Sequence, residues 1–420
     1  MPSPHIFIIG AGPIGLLLAH SLQRHSIPYT IYDRSPTPLL SSRDHKRSRG
    51  WGLTLHWALD DFISLLPRDL VERLPETYVN PEAVARGEKG RFLFYDLASS
   101  KARWEVPAAR RVRVGRERLV GLLREGLEVQ WGKKVTGIRK GREGEMVVNF
   151  EDGEEARGTY VVGVDGTYSA VRRVVCRESH EVYRLPVRFV GMHVALSEEE
   201  VRPVLDLDPY FLQGGDPKTD AFLWWSVLST PSMNVGQIGL DGKYECQVMV
   251  AWPYREGFLG RTEPVDVPET SKERLALVRE ITKDWSQPFR SLVQAVPDDI
   301  DLQEVKLEDW VPPAEGWNNF DGRVTLMGDA AHAMVMFRGE GANHGIKDVK
   351  NWLDNHLDLL KRRDWSSEEA REATIKYEAE VRTRTRHAVL ASRRAAEDAV
   401  TYQSIDDRSP LVNRRAVVAE

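Results

Sequence analysis

Residues 6–15 have the sequence IFIIGAGPIG, in which a short apolar run leads directly into a glycine-rich turn. A fully apolar run of four residues is typical of a strand that is buried on both faces of a parallel sheet. Apolar residues then recur at helical spacing at Ile14, Leu17, Leu18 and Leu22. Residues 29–32 form a second short strand pattern. Together these patterns predict a strand-helix-strand unit, the building block of an α/β fold.

The glycine spacing in this unit is typical of a dinucleotide-binding turn. Glycines at positions 10, 12 and 15 let the backbone turn tightly and approach a pyrophosphate, which binds to N–H groups at the helix N-terminus. Asp33, followed by Arg34, ends the second strand, where an acidic side chain accepts hydrogen bonds from ribose hydroxyls. The predicted binding residues are therefore Gly10, Gly12, Gly15, Asp33 and Arg34. This motif alone does not distinguish FAD from NAD.

Two later apolar runs end in the same way. Residues 159–164 lead into Asp165-Gly166, and residues 323–327 lead into Gly328-Asp329. Ligands of parallel sheets bind at the carboxyl ends of the strands. We therefore expect both junctions at the sheet edge that carries the glycine-rich turn.

The stretch between these two junctions, roughly residues 180–320, has a different pattern. Strand-like segments at 222–228 and 247–252 are separated by turn signals, which predicts a mixed-sheet domain inserted into the α/β domain. Further on, Ser366 and Glu369 form a capping box at the start of a charged helical segment, 366–400. We expect that helix to pack on the core by one stripe.

The composition excludes several classes of protein. The 420 residues carry a net charge of -5, which gives no general attraction to nucleic acid or to anionic membranes. Only two cysteines are present, Cys176 and Cys246, so neither a disulfide framework nor a cysteine-rich metal site is expected. The N-terminal apolar run lacks a basic segment and is broken by glycines and a proline, unlike a signal peptide. We expect a cytoplasmic protein without a metal, a membrane or a nucleic-acid partner; its oligomeric state stays open.

The junction motifs resemble those of a known family. Residues 163–172, GVDGTYSAVR, are similar to its "DG" motif; residues 328–332, GDAAH, continued by 338–343, RGEGAN, are similar to its "GD" motif. With the N-terminal glycines, the three motifs stand in the order found in the single-component, group A FAD-dependent monooxygenases of the para-hydroxybenzoate hydroxylase class. The resemblance extends more weakly to the helix ending near Ala399.

The resemblance implies an α/β fold with a Rossmann-like FAD-binding domain of the GR2 type, built on a parallel sheet, an inserted mixed β-sheet substrate domain, and C-terminal helices. The FAD-binding domain is expected to comprise residues 1–75, 111–178 and 320–400, the substrate domain residues 76–110 and 179–319, and the C-terminal tail residues 401–420.

The resemblance also implies roles for the motif residues. Asp329, after Gly328, would bond the ribityl chain or pyrophosphate side of FAD. The turn at Gly339, Gly341, Ala342 and Asn343 would present a helix N-terminus to the flavin, where positive potential stabilises the reduced ring. Asp165, Gly166 and Arg172 would link the cofactor to the fold, although such an Asp-Arg pair can also only brace a turn.

Arg116 matches the position where the family has an arginine against the flavin, and with His56 it is a candidate catalytic residue. A solvated basic face that includes Arg111, Arg113 and Arg118 is the alternative interpretation of Arg116. For His56, and equally for His332 and His344, a structural role is the alternative.

The substrate pocket is expected between the inserted sheet and the flavin. Its candidate residues are Trp224, Trp225, Met336 and Phe337. Neighbouring residues of a strand point to opposite faces, so either tryptophan could face the pocket, and a place in the core is the alternative for both.

The sequence departs from the family at two places. Ala333 and Met336 stand where the family commonly has prolines. Since proline fixes φ, this leaves open the geometry beside the oxygen-reacting carbon of the flavin. A basic cluster, Arg43, Lys46, Arg47 and Arg49, could attract the phosphates of a nicotinamide donor or form an exposed loop.

The resemblance implies that NADH or NADPH reduces FAD and that O2 then forms a flavin C4a-hydroperoxide. This would hydroxylate or epoxidise an aromatic or polycyclic small molecule, most naturally in secondary metabolism. The alternatives are an FAD-dependent oxidase, isomerase or cyclase on the same fold, and a noncatalytic flavoprotein.

Overall fold

The computed structural model describes residues 4–36, 51–106, 110–142, 144–294, 296–362 and 366–413. The strands in these segments are β1 (Ile6–Ile9), β2 (Tyr29–Tyr32), β3 (Gly52–Leu55), β4 (Leu93–Asp96), β5 (Ala102–Glu105), β6 (Val112–Gly115), β7 (Val129–Gln130), β8 (Val135–Lys140), β9 (Met146–Phe150), β10 (Glu155–Gly158), β11 (Tyr160–Gly163), β12 (Tyr183–Arg184), β13 (Val187–Leu196), β14 (Phe211–Gly215), β15 (Phe222–Ser229), β16 (Tyr244–Pro253), β17 (Gln303–Glu304), β18 (Glu308–Asp309) and β19 (Val324–Leu326). The α-helices are α1 (Pro13–Arg24), α2 (Leu59–Leu65), α3 (Arg68–Arg73), α4 (Pro81–Ala85), α5 (Arg116–Arg124), α6 (Ala170–Val175), α7 (Glu198–Leu205), α8 (Ser271–Thr282), α9 (Phe289–Gln294), α10 (Asp329–His332), α11 (Gly341–Lys361) and α12 (Ser367–Ala399).

A parallel five-stranded sheet lies at the centre of the α/β part of the chain. Its strand order is β19-β11-β1-β2-β7, and every neighbouring pair is parallel. The predicted strands 6–9 and 29–32 are confirmed with the same bounds, and the other two predicted strands are slightly shorter, at 160–163 and 324–326. Because all four strands run in one direction, the segments that follow them leave the sheet at one edge. The three sequence motifs therefore converge there, as expected.

A second sheet has seven strands in the order β17-β13-β16-β15-β14-β4-β5. All neighbours are antiparallel except β4 and β14, so this is the mixed sheet that the sequence predicts. One face packs on α8 and α9, in a core that includes Trp225, Trp252 and Trp285. The other face carries Phe222 and Met249 and contacts Phe337 of the GD region. This second face closes over the motif edge of the parallel sheet.

The two long C-terminal helices pack on each other and on the parallel sheet. Ser366 and Glu369 form the expected capping box, and α12 begins at Ser367, directly after the N-cap residue Ser366. Its buried stripe includes Tyr377 and Val381, whereas most of its charged residues are exposed or half-buried. Among the helices of the described segments, none combines the length and the apolar character that a membrane span requires.

Candidate active site

A cavity of about 510 Å³ lies between the motif edge of the parallel sheet and the second sheet. The motifs contribute Gly12, Pro13, Ile14, Gly166, Thr167, Gly328, Asp329, Gly339, Gly341 and Ala342 to its wall. The second sheet contributes Phe222, Trp224, Gln247 and Met249. This volume is within the range of pockets that bind small molecules and cofactors. The fold thus places the three motifs and an aromatic sheet face around one space.

Two helices begin at this cavity with uncapped N-termini. Helix α1 follows Gly12 and α11 follows Glu340, and neither has a side-chain cap or an acidic residue in its first turn. Backbone N–H groups at such an end attract anions, aided by the helix dipole. The two N-termini therefore fit a group with two negatively charged parts, such as the pyrophosphate and the reduced ring of FAD.

The glycines of the first motif have different structural tasks. Gly10 has a φ of +119°, and a Cβ at Gly15 would lie 2.1 Å from the Gly10 carbonyl oxygen, so both are required by the turn and the helix packing. A Cβ at Gly12 would meet no atom within 4 Å, because this residue faces the cavity. Gly12 is therefore the position where a ligand can approach the backbone.

This difference predicts separable effects of two alanine substitutions. Gly12→Ala is expected to leave the melting temperature of the FAD-free protein unchanged but to weaken FAD binding about tenfold or more, because the methyl group enters the ligand space. Gly15→Ala is expected to destabilise the fold by about 1–3 kcal/mol, because the backbone must move. Thermal melts and fluorescence titrations with FAD measure the two effects. Equal loss of stability in both variants would contradict the assignment.

Asp33 directly follows β2, where the motif requires it, but like Arg34 it does not line the cavity. One Asp33 carboxylate oxygen accepts a hydrogen bond from the Ala11 N–H at 2.8 Å, and the other accepts one from the Ser35 N–H at 2.8 Å. Asp33 thus fastens the glycine turn to the end of β2. The Arg34 side chain is exposed and is not part of the cavity wall.

The DG motif is tied to the GD motif through Arg172. The Asp165 carboxylate accepts hydrogen bonds from Ser169 Oγ at 2.5 Å and from the Ala170 N–H at 2.6 Å, and burial raises its pKa. Arg172 is buried and donates to the carbonyls of Thr167, His180, Asp329 and Ala330. The two side chains therefore brace the loops, and Gly166 and Thr167 of the same loop line the cavity.

The GD motif rests on a buried polar network. The Gly328 N–H donates to Asp348 Oδ2 at 2.8 Å, and His332 Nε2 lies 2.7 Å from the same oxygen. Arg384 donates to Asp348 Oδ1 at 2.7 Å and to His344 Nδ1 at 2.8 Å. Although burial raises it, the pKa of Asp348 is held well below its ordinary range by His332 and Arg384. These contacts therefore favour a structural role for His332 and His344 over a catalytic one.

Above this network, Asp329 and Arg116 face the cavity. The Asp329 side chain is open to the cavity. Desolvation by the surrounding protein raises the pKa of its carboxyl, and the positive charges of His332, Arg116 and Arg172 oppose this shift. The backbone N–H of Arg116 donates to the backbone carbonyl of Trp51 at 3.0 Å, and this hydrogen bond holds the start of α5 against β3. Both residues are therefore in position to contact a cofactor.

Asn343 and His56 join the GD turn to β3. Asn343 is fully buried; its Oδ1 accepts from the His56 N–H at 2.9 Å and its Nδ2 donates to the Thr54 carbonyl at 3.0 Å. The His56 ring lies 3.2 Å from the Gly339 carbonyl oxygen and lines a smaller lobe of about 40 Å³. Asn343 is a fastening residue, and the His56 ring stands at the wall of the site.

The second sheet shows which tryptophan faces the site. Trp224 lines both the main cavity and the smaller lobe, together with Met336 and Phe337. Trp225 is fully buried on the opposite face of β15, in the core with Trp252. The prediction of Trp225 as a pocket residue is therefore wrong, because its side chain has the opposite parity along the strand.

The cavity wall contains a buried arginine that the sequence patterns did not predict. Arg113 lines the main cavity and is 8% exposed, and Arg111 lines the smaller lobe. The interpretation of these residues as a solvated basic face is wrong. The alternation of arginine and valine at 111–114 is a signal for a strand with one polar face directed inward.

Ala333, the first of the two positions where the family commonly has proline, has a backbone conformation that proline would also adopt. Ala333 has φ −50° and ψ 128°, values that proline also adopts. Its carbonyl accepts a hydrogen bond from the Trp310 N–H at 2.9 Å, which holds the peptide in place of a ring. Met336 opens a short 3₁₀ turn and lines the cavity. The basic cluster Arg43, Lys46, Arg47 and Arg49 lies outside the described residues.

This chain is similar in sequence to known proteins. Residues 296–389 match a family described as an FAD binding domain. An Arthroderma benhamiae protein named "Probable FAD-dependent monooxygenase" is 44% identical to this chain over 98% of it and 95% of that protein. An FAD-dependent monooxygenase of Emericella nidulans is 36% identical over 83% of this chain and 85% of its own.

Among solved structures, Klebsiella pneumoniae HpxO, crystallised with FAD and uric acid, matches with a TM-score of 0.70. The match has 18% sequence identity and covers 95% of this chain and 91% of that one. At this identity the likeness concerns the fold.

Proposed function

Because this chain belongs to the single-component, group A FAD-dependent monooxygenases of the para-hydroxybenzoate hydroxylase class, we propose that it uses NADH or NADPH and O2 to hydroxylate or epoxidise an aromatic or polycyclic small molecule in secondary metabolism. The observation that carries this proposal is the single cavity bounded by the three cofactor motifs on one side and by Phe222, Trp224 and Met249 on the other. A flat ring placed there lies between aromatic side chains and the cofactor motifs.

The residues of the motif edge fit FAD. Gly12 and the N-terminus of α1 leave room and N–H groups for the pyrophosphate, and Asp329 faces the cavity where it can bind the ribityl hydroxyls. Asp33, at the end of β2, is the residue that we propose for the ribose hydroxyls. The N-terminus of α11, at Gly341 and Ala342, provides positive potential for the flavin ring. Bound FAD would supply the oxidation of NAD(P)H and the activation of O2.

The protein side of the reaction is orientation and water exclusion. Phe222, Trp224 and Phe337 give the site apolar walls, which favour a ring and limit water near the reacting carbon. We propose His56 and Arg116 as the catalytic residues, because both lie in the wall of the site. His56 lies beside the Gly339 turn, and Arg116 lies near Asp329. Proton transfer from a substrate hydroxyl to His56 is within the chemistry of a histidine.

We also propose the division of the chain into two domains. Residues 1–75, 111–178 and 320–400 would form the FAD-binding domain and residues 76–110 and 179–319 the inserted substrate domain. The composition of the two sheets supports this division. The second sheet contains β4 and β5 from the first substrate segment and β13, β14, β15, β16 and β17 from the second, whereas all strands of the parallel sheet come from the FAD-binding segments.

The test is NAD(P)H oxidation by the FAD-loaded protein under air, with a panel of phenolic and polycyclic compounds. We expect one compound class to stimulate oxidation and to yield a product heavier by one oxygen atom, which carries the label when 18O2 is supplied. The FAD-free protein and an anaerobic sample are the controls. A product that forms with no NAD(P)H consumed would instead identify an oxidase, isomerase or cyclase, and flavin that neither nucleotide reduces with any compound would favour the noncatalytic alternative.

A further inference from the structure

Arg338 and Glu340 form a buried ion pair in the turn that leads into α11. Arg338 Nε lies 2.6 Å from Glu340 Oε2, and the two side chains are 6% and 1% exposed. Glu340 is the N-cap residue of α11. Gly339 and Gly341, the residues on either side of Glu340, line the main cavity. The ion pair is therefore adjacent to the edge where the cofactor motifs meet.

A carboxylate at this position opposes the field of the helix. The N-terminus of α11 is positive, because its first N–H groups point out of the helix, and it faces the cavity through Gly341 and Ala342. A negative charge on Glu340 would reduce the positive potential that this end offers to a ligand, since charges interact strongly where water is excluded. The guanidinium of Arg338 cancels that negative charge. Without this cation the same helix end would attract an anion less.

The C-terminal segment, residues 402–413, holds Arg338 in position. Arg338 Nη1 donates to the carbonyl of Pro410 and to Asn413 Oδ1, the latter at 3.1 Å. The two residues between these acceptors are buried in the same apolar cluster as Phe337, the neighbour of Arg338. The compensating charge is thus anchored by residues more than 70 positions away in the chain.

The C-terminal segment is itself fastened to both parts of the fold. Ser409 Oγ donates to Asp398 Oδ2 at 2.5 Å, near the end of α12. The Tyr402 N–H donates to Asp220 Oδ1 at 2.8 Å, and the Tyr402 hydroxyl donates to Asp96 Oδ2, at the end of β4, at 3.0 Å. The segment therefore connects the second sheet, α12 and the turn before α11, which gives the guanidinium a fixed place.

We propose that Arg338, anchored by the C-terminal segment, is a positioning residue that neutralises Glu340 and so keeps the N-terminus of α11 positive toward the flavin. The ion pair would then set the balance between oxidised and reduced bound FAD, because the reduced ring carries the negative charge that this helix end attracts. The inference rests on the FAD site of the proposed function and not on the reaction with oxygen. It gives the C-terminal segment, which lies outside the three motifs, a role at the site.

The test is the midpoint potential of the flavin in the FAD-loaded protein, measured by anaerobic equilibration with a reference dye. Glu340→Gln leaves the positive charge of Arg338 without its partner and should raise the potential, whereas Arg338→Met leaves the negative charge of Glu340 and should lower it. In each case we expect about a tenfold change in affinity for reduced relative to oxidised flavin, which corresponds to about 30 mV for two electrons. The double variant Arg338→Met/Glu340→Gln, in which neither charge remains, should return close to the wild-type potential.

Shifts of opposite sign that cancel in the double variant are expected for a charge effect and not for a loosened fold. Asn413→Ala loosens the anchoring of Arg338 and should lower the potential less than Arg338→Met does. The matched control is Arg408→Met, which removes an equal charge from an exposed position of the same segment and should keep the wild-type potential.

If Arg338→Met does not fold, Glu340→Gln still tests the sign of the shift, and Arg338→Lys, which keeps the charge, should hold the potential near the wild-type value. A potential that Glu340→Gln leaves unchanged or lowers overturns the inference. An Asn413→Ala variant that behaves as Arg408→Met does would remove the role of the C-terminal segment.

This inference and the proposed reaction fail separately. Opposite shifts of the potential in a protein that oxidises no NAD(P)H would keep the role of the ion pair and contradict the proposed reaction. NAD(P)H-dependent oxygenation by a protein whose flavin potential responds to neither substitution would keep the monooxygenase and remove the role of Arg338.

Discussion

Replacing Asp348 by alanine is expected to lower the free energy of unfolding by about 3–5 kcal/mol, the cost of removing one partner of a buried ion pair. Asp348 is fully buried and accepts from Arg384, His332 and the Gly328 N–H at once. Its loss leaves the Arg384 charge with fewer partners and releases the loop that carries Asp329. FAD binding should therefore weaken as well. Denaturant unfolding and FAD titration measure the two effects.

The pH dependence of this effect follows from the lowered pKa of Asp348. A carboxyl whose pKa is lower in the folded protein contributes stability above its ordinary pKa of about 4, and this contribution is lost as the pH falls toward the folded value. The difference in stability between the wild type and Asp348→Asn should therefore shrink at acid pH. Asp354→Ala, on the exposed face of the same helix, is the control and should cost less than about 0.5 kcal/mol. An Asp348→Ala variant as stable as this control would contradict the network.

Trp225→Ala is expected to destabilise the protein by about 3–5 kcal/mol, because it empties a large volume in the core of the second sheet. Trp225 is fully buried between the sheet and the helices behind it. The neighbouring Trp224→Ala variant removes the same side chain from the cavity wall, where it is only partly buried. It should cost less stability but weaken binding of aromatic probes.

Unfolding curves and probe titrations on both variants give the comparison. Trp225→Ala should lose much of its stability, but its folded molecules should bind the probes with near-normal affinity. Trp224→Ala should lose little stability and bind the probes more weakly. Similar stability losses in the two variants would mean that the faces of β15 are wrongly assigned.

The cofactor side of the site could be predicted from local sequence. A short apolar strand followed by glycine or aspartate fixes where the chain leaves a parallel sheet, and the edge of the sheet brings these junctions together. The sequence therefore predicts Gly12, Gly166 and Asp329 at one site, and the resemblance to the family implies the turn that contains Gly341; all four residues line the cavity. The starts of α1 and α12 follow from the same kind of local information, whereas the start of α11 is implied by the resemblance.

The substrate side could not be predicted in the same way. Parity shows that Trp224 and Trp225 point in opposite directions, but which face is covered by helices and which by the cavity depends on distant segments. Arg113 is an ordinary charged residue in the sequence, and its burial depends on segments far away in the chain, such as those that carry its hydrogen-bond partners Thr54 and Ser226. Asp348 supports the GD loop from a helix 20 residues away. The cofactor edge is therefore predictable from local sequence, because strand ends and glycine turns are set by neighbouring residues. The substrate wall becomes visible in the folded chain alone, because the environment of a charge or an aromatic ring is set by residues far apart in the sequence.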